Sequence, residues 1–176
     1  MGKRRSPKVR GKKTVRSERF SGVDNTDDLD IVLTGNKIFS DILGFSDDEL
    51  MPLYDHAIQM LYAQRIEDAK TAFSFLTKIN PYLAIFWVGL GLAHTAEGNI
   101  SAAFTAFLMA LTMDPLMIEA YEYAIDCCIE KEDFKQAESL VKQLAGAVKH
   151  CTSSAEVKVI QHQIKILEDK IALKKP

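Results

Sequence analysis

The residues best suited to chemistry are the adjacent thiols Cys127 and Cys128 and four histidines, His56, His94, His150 and His162. A thiolate can attack a carbonyl or bind a soft metal, and an imidazole can serve as base or ligand. The spacing argues against both roles. Cys127 lies between Asp126 and Cys128 without a CxxC pattern, and no HxxxH pair is present. Three cysteines in all, two of them adjacent, do not form a disulfide framework, so packed thiols in a reduced compartment are expected. No glycine-rich phosphate loop, serine elbow or carboxylate pair stands out. The expectation is a non-enzyme without metal or cofactor.

Charge offers a second chemistry. Residues 1–20 carry nine Lys or Arg against Glu18 alone, and residues 21–50 carry eight Asp or Glu against Lys37 alone. The net charge of -2 conceals this asymmetry. The basic stretch suits nucleic acid or an anionic membrane, with strong salt dependence, although no aromatic precedes Phe20 to stack on bases. The alternative is a solvated tail that folds back on the acidic stretch 24–49. Few large apolar side chains leave the first 20 residues unable to offset their ordering entropy, and disorder is expected there. The basic start is not followed by an apolar run of signal-peptide type.

The rest of the chain explains what positions these groups. Ala69, Ala103 and Ala137 lie 34 residues apart; Phe73, Phe107 and Val141 keep the same step, as do Pro81 and Pro115. A period of 34 built from a small residue, an aromatic and a helix-stopping proline marks tetratricopeptide helix pairs. Such units stack to bury their apolar faces and expose an extended concave surface. The predicted fold is therefore an all-α solenoid of three helix pairs. The pairs fall at about 50–64 with 66–80, 84–97 with 100–113, and 118–131 with 134–150. Residues 1–20 form the basic tail, 21–49 an acidic linker and N-terminal helical segment, 50–150 the repeats, and 151–176 a capping helix. Ser46-Asp47-Asp48-Glu49 has the capping-box pattern that opens the first pair. Val157, Ile160, Ile164, Leu167 and Ile171 give the last helix one apolar stripe.

In this repeat class the first helix of each pair faces the concave side. Its expected exposed positions are Met51, Tyr54, Ile58 and Leu61, then Ile85, Val88 and Leu92, then Glu119, Glu122 and Asp126. Two repeats thus offer an apolar strip and the third an acidic end, the pattern of a partner site. Repeats that clamp a terminal carboxylate need Lys, Arg and Asn converging here, so that mode is excluded. Apolar residues in 29–43, notably Leu29, Val32, Leu33, Phe39 and Ile42, exceed what one short helix buries and predict a homodimer contact.

The stretch Tyr54, Ala57, Ile58 and Leu61, the run Phe86-Trp87-Val88-Gly89-Leu90-Gly91, and Ala124-Ile125-Asp126-Cys127 with Ala137-Glu138-Ser139 resemble a narrower group. They look like the class II chaperones of type III secretion, the SycD/LcrH, IpgC, SicA and PcrH family. The resemblance implies a cytoplasmic bacterial chaperone. It would hold hydrophobic translocator proteins by an extended segment in the groove and dimerise through the N-terminal helix. Gln64-Arg65 departs from the glycine turn usual in the family's first repeat, Ile58 and Leu61 replace aromatics, and the basic tail has no family counterpart. A general tetratricopeptide adaptor, or a nucleic-acid or membrane-associated protein acting through that tail, remains the alternative.

Overall fold

The computed structural model describes residues 44–150 and 154–175, which contain seven α-helices and no strand. They are α1 (Asp47–Tyr62), α2 (Ile66–Ile79), α3 (Ala84–Ala96), α4 (Ile100–Met113), α5 (Ile118–Glu130), α6 (Phe134–Ala147) and α7 (Ser154–Lys174). A 3-10 turn, Val148–His150, follows α6, so the last repeat ends sooner as α-helix than the pattern suggested. The tail and the residues Leu29, Val32, Leu33, Phe39 and Ile42 lie outside the described residues.

The period is visible in backbone and side chain alike. Within each pair the connecting turn places one residue in the left-handed region, at Gln64 (φ 60°), Gly98 (φ 80°) and Glu132 (φ 57°), again 34 apart. At each turn the next amide donates to the carbonyl five residues back: Arg65 to Met60, Asn99 to His94, and Asp133 to Cys128. This is the Schellman closure, which satisfies helix-end carbonyls that would otherwise lack donors. Asn99 and Asp133 then cap the next helix by accepting from the amides of Ala102 and Gln136. Between pairs, Asn80 and Asp114 accept from the amides of Tyr82 and Leu116. Trp87 Nε1–H donates to the Pro81 carbonyl at 2.7 Å, and the Tyr121 hydroxyl donates to that of Pro115 at 3.4 Å.

The first turn is the weak copy. Gln64 pays the Cβ penalty of left-handed backbone that Gly98 avoids, and Arg65 makes no cap, its Nε instead donating to Asp68 at 2.8 Å. Gln64→Gly with Arg65→Asn is expected to raise stability by about 1–2 kcal/mol, since the exposed Arg65–Asp68 pair contributes little. Thermal unfolding checks this; an unchanged or lower midpoint contradicts it.

The core runs through the whole stack. Phe73, Phe86, Phe107, Leu76, Ile125, Leu140 and Leu144 are fully enclosed, and α7 joins through Ile160, Leu167 and Ile171. Each α2–α3 type junction repeats, and α7 packs on α5 and α6 much as α3 packs on α1 and α2. The cap helix therefore occupies the place of a fourth repeat's first helix, which closes the apolar end of the solenoid.

Aromatic rings and the small residues opposite them set the close spacing of the helices. A Cβ on Gly91 would lie 2.3 Å from Phe107 Cε1, and one on Gly89 would lie 2.3 Å from Phe73 Cε1. Gly91 thus receives the ring of its own repeat and Gly89 that of the repeat before. In the third pair the same registers hold Ile125 and Val141, both buried, so the bulk has moved from one helix to the other.

Candidate peptide-binding groove

Helices α1, α3, α5 and α7 share one side of the stack, α1 touching α3 and α5 touching α7. On that side Met51, Tyr54, Ile58 and Leu61 of α1 and Ile85 and Leu92 of α3 are partly exposed. Val88 differs from expectation. It is only 5% exposed and belongs to the buried core with Ala103, Phe107, Ala120 and Ala124. It shares a register with Tyr54 and Glu122, but a short β-branched side chain in the middle helix is drawn into the core between α4 and α5.

Aromatic rings pack around the same helices. Tyr54 meets Phe73 edge-on with centroids 5.7 Å apart and tilts against Phe86 at 6.0 Å. Tyr123 stacks on Phe107 at 5.3 Å. Tyr123 stands one period after Gly89, and Phe107 one period after Phe73. Where Gly89 receives the Phe73 ring, Tyr123 in the same register covers that of Phe107. Burial raises the Tyr54 phenol above its ordinary pKa, with Asp55, Tyr123 and Tyr62 adding to the rise. Tyr54 and Tyr123 are therefore within electrostatic reach across the middle helix. Tyr123 was not among the expected groove residues, although its register opposite a repeating phenylalanine carried the signal. Tyr62, 83% exposed at the end of α1, adds a further ring.

The acidic end is partly occupied by the chain itself. Gln163 of α7 donates to Glu122, and Lys170 pairs with Asp126. Lys175 pairs with Glu138 of α6 at 2.8 Å. Glu119 stays exposed. The charge at Glu122 and Asp126 thus fastens the cap helix as well as facing the groove.

The residues first considered for chemistry are placed otherwise. Burial pushes both the Cys127 and Cys128 thiols up to about 11, with nearby carboxylates adding to it, Glu130 and Asp126 for the first and Asp133 for the second. That is the environment of an inert thiol. Both are expected to resist alkylation at neutral pH in the folded protein and to react once it is unfolded, as peptide mapping can record. Their folded pKa lies above the ordinary 9.0, so the stability they contribute is complete below that value and is lost as pH climbs toward about 11. His94 Nδ1 lies 3.2 Å from Glu97, which also accepts from Lys70 at 2.7 Å, a small charge cluster joining α2 to α3. His56 is exposed. Among the described residues no group of three or more His, Cys, Asp or Glu could hold a metal, and no helix is long and apolar enough to cross a membrane.

No protein-family model matches the chain. Low calcium response locus protein H of Yersinia pestis is 25% identical over 147 residues, covering 84% of this chain and 86% of that protein. The Yersinia enterocolitica type III secretion chaperone SycD, solved with a peptide of the translocator YopD, is 26% identical with a TM-score of 0.58. That match covers 74% of this chain and 98% of SycD. An alternative SycD dimer matches at 25% identity and a TM-score of 0.59, over 73% of this chain and 96% of that one. In sequence and in fold the chain is similar to the SycD-type translocator chaperones of type III secretion. The proteins it resembles are chaperones and not enzymes. The glycine-leucine-glycine run behind the resemblance has a packing role in this chain, seating the rings of Phe73 and Phe107 against α3.

Proposed function

We propose that this chain is a cytoplasmic type III secretion chaperone that holds an extended apolar segment of a hydrophobic translocator protein along α1 and α3. The observation that carries the reading is the strip Tyr54, Ile58, Leu61, Ile85 and Leu92, left partly exposed beside aromatic stacks that are otherwise packed. The SycD structure with a YopD peptide supports a translocator peptide as ligand. Met51 extends the strip at one end, and Glu119 with the outer faces of Glu122 and Asp126 would meet basic residues flanking the client segment. Val88 contributes from below as part of the core against which Tyr123 and Leu92 pack. Burying two or three aliphatic side chains gains roughly 1.5–3 kcal/mol each before ordering costs, which suits a micromolar contact. Self-association through Leu29, Val32, Leu33, Phe39 and Ile42 belongs to the same reading, supported by the SycD dimer.

The test is co-expression of the chain with a translocator, reading soluble translocator at matched chaperone levels. A soluble complex whose client segment is protected from proteolysis supports the reading. A translocator that stays insoluble in the presence of folded chaperone refutes it.

A further inference from the structure

We propose that the outer face of α7 is a second self-association surface, on which two copies of the chain pair their C-terminal helices antiparallel through Val159, Ile166 and Leu173. This goes beyond client binding and is separate from the N-terminal contact.

The two sides of α7 have different work. Ile160, Leu167 and Ile171 enter the core, while Gln163 and Lys170 reach α5. A cap helix needs only polar residues on its remaining side. Instead Val159, Ile166 and Leu173 stand there at 64%, 43% and 83% exposure, in two steps of seven. Apolar residues seven apart hold one line along a helix, which is the seam used when helices pair side by side.

The face fits a copy of itself. With Ile166 on a two-fold axis, an antiparallel copy brings its Leu173 opposite Val159 and its Val159 opposite Leu173. Beside Val159 lies a mostly apolar recess of about 490 Å³, lined also by Leu116, Ile118, Ala155 and Ile160, with Glu156 as its one charged residue. Leu173 is a projecting knob, and the recess is a hole at the height where the second copy's Leu173 arrives. The same pairing sets exposed His162 against the second copy's Asp169, an attraction that a parallel arrangement would not make. Each contact occurs twice, as an isologous interface requires. Three apolar side chains per copy bury less than the roughly 1,200 Å² of a standard interface, so pairing is weak and concentration-dependent.

Disulfide capture in the full chain tests this, in a Cys151→Ser background with oxidised glutathione as oxidant. Ile166→Cys should crosslink into dimers, because the two-fold axis brings the position against itself. Gln161→Cys, on the flank of α7 turned from the seam, should not. Adding Leu173→Asp to Ile166→Cys should lower the crosslinked fraction at least about tenfold, since an unpaired carboxylate would enter a mostly apolar recess whose one charged lining residue, Glu156, repels it. Helicity should not change, because Leu173 is exposed. Equal crosslinking at 161 and 166, no crosslink at 166, or a crosslink indifferent to Leu173→Asp overturns the proposal. An N-terminal dimer alone would leave Ile166→Cys uncrosslinked and so count against it. A crosslink found only between Ile166→Cys and a co-purified client gives the stripe to the client and also overturns it.

Discussion

Gly91→Ala is expected to destabilise the chain by about 1–3 kcal/mol, against the direction that helix propensity predicts. Alanine in a helix interior ordinarily gains about 1 kcal/mol over glycine. Here the added Cβ would sit 2.3 Å from Cε1 and 2.7 Å from Cδ1 and Cζ of Phe107, whose ring is 1% exposed. A rigid, enclosed ring cannot yield that distance by rotation alone, so α3 and α4 must separate. The strain outweighs the propensity. A drop of several degrees in the thermal midpoint should report it. The third repeat supplies the internal control, because Ile125 and Val141 fill the registers of Gly91 and Phe107 with bulk on both sides and no large ring. Phe107→Val alone should leave a cavity and cost about 3 kcal/mol or more. Combined with Gly91→Ala, the loss should be clearly smaller than the sum, a coupling that a double-mutant cycle measures directly. Strict additivity would mean that the two positions do not share space, and the account of the glycine run would fall. Gly89→Ala should behave likewise against Phe73, whose Cε1 lies 2.3 Å from the same construction.

What was legible before the structure follows from which interactions obey the period. The helix pairs, their stops at Asn80-Pro81 and Asp114-Pro115, and the small residues Ala69, Ala103 and Ala137 recur every 34 residues, and a repeating cause leaves a repeating trace. Gln64 read as a departure from a glycine turn, yet the backbone there is left-handed as it is at Gly98, because stacking imposes the turn whatever residue occupies it. Val88 was misplaced since register names the side of a helix and says nothing of how deep a side chain sits. Its burial comes from the core it shares with Ala103, Phe107, Ala120 and Ala124. The Gln163–Glu122 and Lys170–Asp126 contacts were out of reach for a related reason. Residues 151–153 break the period, so α7's rotation on the stack is set by packing with α5 and α6. His94 and Glu97, three apart, were by contrast a pair that spacing alone makes readable.

Placing a charge in the strip should remove client binding and leave the fold intact. Ile58→Glu and Leu92→Glu are the informative changes, because both positions are partly exposed, one on each groove helix. Val88→Glu is not, since a carboxylate at a position 5% exposed would unfold the core and lose binding for the wrong reason. At Ile58 or Leu92 the free chaperone can keep the new carboxylate in water by rotating it outward. A bound apolar segment would cover that water, and the charge would then be desolvated with no cation nearby. The expected loss is about 2 kcal/mol or more, roughly thirtyfold in affinity, for either change. Thr112→Glu, exposed on α4 on the opposite side of the stack, adds the same charge without touching the groove and should bind as the parent does. Asp126→Asn should have a small effect that fades with salt, because Lys170 already takes part of that charge. Soluble client in co-expression and titration with a client peptide give two readouts that need not agree. If Ile58→Glu and Leu92→Glu bind peptide normally at matched helicity, the α1–α3 strip is not the contact. If they lose peptide but still solubilise the full client, a second surface of the chaperone carries part of the load.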